Sequence, residues 1–231
     1  MSTVGAAAPA RRRRTLLGPE TYELVFGTVY TGLMTNLLLV VACLPFVALV
    51  AATRVSTTWP LVALTAPLLG PALAAAFAVF GAFSADGSTT VVRTFARAWR
   101  QHLRRGLAIG ALGTAVVVVL AVDVLFFWGR TAGAAVIPVL VTLAAGVVVT
   151  AVLALAAVPE TDDARLRDVL LTALVLGARR WYLSAGVLAV LGLLVSVVAV
   201  RPAVGLGFAA APLLFAVWGA CRFALRPSAR V

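Results

Sequence analysis

The chain has 231 residues, of which 63% are hydrophobic and 12% charged, with a mean hydropathy of +1.09. A soluble domain is usually about half apolar, so this composition excludes a soluble enzyme or nucleic-acid-binding domain and points to a polytopic membrane protein. The net charge of +11 falls beside the ends of apolar stretches, where it attracts anionic headgroups and fixes orientation rather than binding nucleic acid.

Residues 1–18 are rich in Ala, Pro and Arg and are predicted to be a disordered, basic cytoplasmic tail. Residues 19–231 then form a single six-helix transmembrane domain. The apolar stretch after Arg11–Arg14 is too long for a signal-peptide core and has no convincing cleavage site, so it reads as the first span, from about Val25 to Ala52. Pro60 opens a second span that ends near Phe83. Its centre holds Pro67, Gly70 and Pro71, a helix break that removes backbone donors. Lipid tolerates such a break only where neighbouring helices satisfy the freed carbonyls, so this span is expected inside the bundle. The remaining spans run from about Leu107 to Trp128, Ala132 to Val158, Leu183 to Val200 and Val204 to Phe223. Very short turns at Gly129-Arg130-Thr131 and Arg201-Pro202-Ala203 make these four spans two antiparallel hairpins.

Two of the connecting segments carry amphipathic patterning. In Val91 to Arg105, Arg93, Arg97, Arg100 and Arg104 recur at helical spacing beside an apolar stripe that includes Phe95 and Trp99. The pattern predicts a cytoplasmic interfacial helix in the headgroup plane, its aromatic side chains at the acyl boundary. Leu166 to Trp181 repeats the stripe and closes with Arg179, Arg180 and Trp181. Superposing Arg104-Arg105 on Arg179-Arg180 defines a repeat of interfacial helix plus hairpin, and Gly18 to Tyr30 precedes the first span in a similar position. The fold class read from these signals is an all-α, polytopic membrane helix bundle of six transmembrane helices with cytoplasmic interfacial amphipathic helices and helical-hairpin repeats.

Sixteen of the nineteen arginines fall before the first span, in alternate connections or after the last span, and only Arg54, Arg130 and Arg201 fall in the others. This positive-inside pattern predicts a multi-pass protein of the bacterial cytoplasmic membrane with both termini cytoplasmic.

Few residues carry polar chemistry. Asp123 is the only acid well inside a span, and an intramembrane carboxylate is a candidate ion or proton site. Its place near the outer end also fits a structural ion pair with Arg54, Arg130 or Arg201. Asn36 reads as an interhelical hydrogen bond, and Gly70, Gly106 and Gly110 as close-packed helix faces. His102 reads as a headgroup-facing residue. Gly205 to Ala210 matches a dinucleotide-binding fingerprint in form only, because no strand precedes it. Cys43 and Cys221 are too few for an iron–sulfur cluster or structural zinc. No nucleophile–base pair or metal-ligand cluster emerges, so neither an enzymatic activity nor a cofactor is expected.

The segment Pro67 to Phe77 followed by Arg93-Thr94-Phe95-Ala96-Arg97-Ala98-Trp99-Arg100 resembles the YesL-like family of bacterial integral membrane proteins, in its actinobacterial branch. The resemblance continues at Arg179 to Ser184, Ala211 to Leu214, Trp218 and Arg222 to Pro227. The family is a domain of unknown function often encoded beside sugar ABC transporters and polysaccharide-degrading enzymes. The resemblance therefore implies a non-enzymatic accessory or scaffold component linked to carbohydrate uptake. Its expected partners are anionic lipid headgroups, a membrane transporter or regulator and a second copy of the chain. The alternative reading is a small secondary transporter or channel that uses Asp123.

Overall fold

The computed structural model describes residues 19–87, 89–131, 133–161 and 165–225. The basic tail and Arg226 and Arg230 lie outside the described residues. Within them the chain is an all-α bundle, with no strand. Five helices are long and apolar enough to cross a membrane: Thr57–Asp86, Val91–Phe127, Gly133–Glu160, Trp181–Val200 and Pro202–Leu225. A sixth crossing requires the first apolar stretch to act as one broken span.

That stretch is divided into α1 (Pro19–Ala42) and α2 (Leu44–Ala52). The two axes are bent by 80° at Cys43, which departs from the single first span expected. Pro45 explains the bend, since it has no N–H to donate and its ring collides with the carbonyl four residues earlier. Gly18 to Tyr30 likewise forms no separate interfacial helix, because α1 continues through its described part.

Helix α3 (Val55–Thr65) kinks at Thr58, just before Pro60. It passes through a 3-10 turn at Ala66–Leu68 into α4 (Leu69–Asp86). The Pro67–Pro71 break is therefore real, and the residues from Gly70 to Phe80 are buried apart from the half-buried Leu73 and Ala78, as the need to shelter freed backbone groups predicts. Phe80 of α4 packs edge-on against Phe215 at 5.4 Å, and Trp218 lies 5.5 Å from Phe215, tying α4 to the last helix.

Helix α5 spans Val91–Phe127 without interruption. At 1.5 Å per residue its 37 residues extend about 55 Å, well beyond the roughly 30 Å of a bilayer core. The arginine-bearing segment is thus the first half of a long helix and does not turn into the headgroup plane. Its apolar stripe is covered by protein: Val91, Phe95, Ala98, His102 and Gly106 are buried. A lipid-facing stripe and a protein-facing stripe have the same period, so the sequence pattern could not separate them.

Helix α6 (Gly133–Ala157) returns antiparallel to α5, with the Cβ of Ala151 within 3.5 Å of a side-chain position at Gly113. Helix α7 (Leu166–Arg179) is the second amphipathic element and buries Val169, Ala173 and Gly177. Here a break does occur, at Arg180, before α8 (Trp181–Val200). The Ser184 hydroxyl donates to the Gly177 carbonyl at 2.7 Å, satisfying an acceptor that the break releases. The last helix, α9 (Pro202–Leu225), contains a π-turn at Gly205–Ala209.

Candidate functional site

Three places collect the residues singled out by the sequence. The first is the crossing of α4 and α5. A Cβ at Gly70 would collide with the carbonyl oxygen of Gly106, one at Gly106 would lie 2.7 Å from the Pro71 backbone, and one at Gly110 would lie 2.7 Å from the Pro67 oxygen. The two backbones touch directly, which only glycine permits at these positions. Pro67, Gly70 and Pro71 thus build a fixed crossing with no chemical group exposed in it.

The second is the contact of α1 with the π-turn. Asn36 is 2% exposed; its side-chain amide donates to the Gly207 carbonyl at 2.8 Å, and its carbonyl accepts from the Ala211 N–H at 2.6 Å. Gly207 oxygen and Ala211 nitrogen are the pair that a regular α-helix would bond to each other. Asn36 is inserted between them, while the Ala210 N–H reaches back five residues to the Gly205 carbonyl. The glycine-rich fingerprint is therefore a π-turn opened by a side-chain amide, a recognised cause of helix distortion. On the same helix as Asn36, Thr31 and Thr35 are buried and their hydroxyls have no hydrogen-bond partner among the described residues.

Asp123 lies apart from both. It is half-buried, close to the C-terminal end of α5. The expected ion pair is absent, because the one salt bridge among the described residues joins Arg222 to Glu160 at 3.9 Å. Arg130 instead stacks its guanidinium 3.8 Å from the Phe126 ring centroid. That cation–π contact occupies the arginine nearest to Asp123 in sequence.

The third place is the arginine-bearing end of the bundle. Arg93, Arg97, Arg100 and Arg104 are all exposed along one edge of α5. Phe95, at 4% exposure, faces the core, and Trp99 is half-buried with its indole N–H sealed from solvent and unpaired. Phe95 therefore leaves the predicted acyl boundary, while Trp99 keeps part of its ring exposed. His102 is also buried rather than headgroup-facing, because it falls on the same inward stripe, one helical turn after Ala98 and one before Gly106.

Two arginines at this end have matching roles. Arg105 donates to the carbonyl of Thr161 at 2.9 Å, and Arg180 donates to the carbonyl of Phe223 at 2.8 Å. Arg105 stands inside α5 and Arg180 just before α8, and each ties down the end of the helix that returns beside it, where unpaired carbonyls and the negative end of the helix dipole favour a cation. The repeat spacing that pairs Arg104-Arg105 with Arg179-Arg180 was visible in the sequence; their carbonyl partners were not, since backbone acceptors leave no residue signature. Arg179 and Trp181, beside Arg180, are exposed, Trp181 at 73%. Comparison with family models, curated proteins and solved structures returns no match to this chain. The arrangement itself therefore carries the functional argument.

Proposed function

We propose that this protein is a non-enzymatic accessory or scaffold component of the bacterial cytoplasmic membrane, with both termini cytoplasmic, that supports a carbohydrate-uptake system by contact. The YesL-like resemblance supplies the carbohydrate context. The observation that carries the scaffold reading is the edge of α5, where four exposed arginines stand on a helix whose opposite face is locked into the core. A rigid cationic edge can dock an anionic surface without paying the ordering entropy of a loop. The buried polar groups support the same reading: Asn36 is consumed by the α9 backbone, so it is not free to bind a substrate.

The test is affinity purification from native membranes after crosslinking. Wild-type protein is expected to capture a transporter component, and the combined change of Arg93, Arg97, Arg100 and Arg104 to Gln is expected to reduce capture at least tenfold. Equal capture by both proteins would remove the α5 edge from the account. One observation favours the transporter alternative: Asp123 is half-buried without an ion-pair partner among the described residues. Purified protein in liposomes that moved a sugar or ion, with the movement abolished in Asp123→Asn, would replace the scaffold reading.

A further inference from the structure

The outward side of the first half of α5 carries two parallel tracks. Val92, Ala96, Trp99 and Leu103 recur at steps of four, three and four residues, and Arg93, Arg97, Arg100 and Arg104 repeat the same steps one residue later. This is the spacing of a seam along which two helices pack at a shallow angle. The inward stripe of Val91, Phe95, Ala98 and His102 is separate and already buried in the bundle. On the outward track Val92 is 47% exposed, Ala96 is exposed, and Trp99 and Leu103 are half-buried. All four arginines are exposed, and none forms an ion pair among the described residues. An apolar seam thus lies beside a row of cations that the bundle itself does not neutralise.

We infer that this face docks an acidic amphipathic helix of a partner protein, whose apolar side chains meet Val92, Ala96, Trp99 and Leu103 and whose carboxylates, at the same spacing, meet the four arginines. The inference rests on the scaffold reading above and adds the chemistry and secondary structure of the partner. Lipid does not fit the whole face. From Leu107 to Phe127 α5 carries only Asp123 as a charge and extends about 31 Å, which nearly equals the roughly 30 Å bilayer core and keeps the helix close to upright. Arg97 and Arg93 then stand about 15 and 21 Å beyond Leu107, outside a headgroup layer of about 5–7 Å per leaflet. A second copy of the chain would set the same arginines against themselves, and residues 1–18 hold four arginines and no acid, so neither complements the face. A nucleic-acid backbone would pair with the arginines and leave the apolar track uncovered. Opposite charges flanking an apolar seam set partner choice where helices pair.

Two fluorescent synthetic peptides of identical composition, added to the full-length protein in nanodiscs, test the face. One carries leucines and glutamates on adjacent tracks at the α5 spacing, and in the other the same residues are shuffled. Fluorescence anisotropy is expected to show at least tenfold tighter binding of the first. Arg97→Glu together with Arg100→Glu should weaken it at least tenfold, and lysines in place of the peptide's glutamates should restore it. Ala96→Gln keeps the charge but interrupts the apolar track, and should weaken binding at least threefold. These side chains point outward, so the changes leave the core intact. Equal binding of the shuffled peptide, wild-type affinity in Ala96→Gln, or displacement of the peptide by phosphatidylglycerol vesicles or by polyuridylate RNA would each overturn the face. In native membranes, a photocrosslinking amino acid at Ala96 is expected to attach to an acidic peptide with apolar residues at the same spacing; attachment to lipid or to a second copy of the chain would also overturn it. If these results fail while the four-arginine Gln variant still loses capture of a transporter component, the scaffold reading stands and only the helical partner falls.

Discussion

Asn36 joins two elements that are far apart in the chain, and its contribution can be measured. Removing the side chain with Asn36→Ala leaves a carbonyl and an N–H of α9 without their partners inside the bundle. Side-chain hydrogen bonds between membrane helices are worth roughly 0.6 kcal/mol on average and up to about 1.7 kcal/mol. Two lost bonds therefore predict a destabilisation of about 1–3 kcal/mol, reduced if Gly207 and Ala211 close into an ordinary α-turn. Thermal unfolding in detergent should show a lower midpoint for Asn36→Ala, and amide exchange at Ala211 should change with it. An unchanged midpoint together with unchanged exchange would mean that the amide insertion does not hold the turn open. Asn36 was legible as an interhelical hydrogen bond because a lone amide in an apolar span must find a partner. Its two acceptor and donor atoms were not, because they belong to the backbone of a helix about 170 residues later.

The glycines show how the same residue type has opposite consequences on different helices. Gly106 on α5 faces the Pro71 backbone at 2.7 Å, whereas Gly146 on α6 and Gly192 on α8 have nothing within 4 Å of a side-chain position. Gly106→Ala should therefore force α4 and α5 apart and lower the yield of folded protein, because neither backbone can yield locally. Gly146→Ala and Gly192→Ala should raise stability by up to about 1 kcal/mol each, the helix-propensity advantage of alanine over glycine. Denaturant titration of the three variants checks the contrast, and a tolerated Gly106→Ala would mean that the crossing is looser than its contacts require. The small-residue spacing at Gly70, Gly106 and Gly110 did identify a close-packed face. The long α5 was misread because Arg104-Arg105-Gly106 looks like a boundary between interfacial and spanning segments. Glycine after a basic pair permits a break without requiring one, and packing of both halves of α5 against α4 and α6 keeps the helix continuous.

The bundle as a whole presents apolar outer faces on α1, α8 and the second half of α5, with Phe26, Leu125, Val195 and Val200 among the most exposed apolar side chains. Such faces are suited to lipid. The arginine asymmetry predicts which end is cytoplasmic, and the buried state of both native cysteines makes labelling of engineered ones clean. In intact cells, Thr131→Cys should react with an impermeant thiol reagent and Gln101→Cys should not; the reverse pattern would invert the topology. The hydropathy pattern established that the chain is helical, apolar and built of hairpins, because a span's length and composition are local properties set by the thickness of the bilayer. The arginine spacing likewise revealed the hairpin repeat that Arg105 and Arg180 share. The 80° bend at Cys43, the unbroken α5 and the inward turn of Phe95 and His102 were fixed by contacts between distant segments. An apolar stripe has the same sequence whether lipid or protein covers it, so only the assembled neighbours determine which one does.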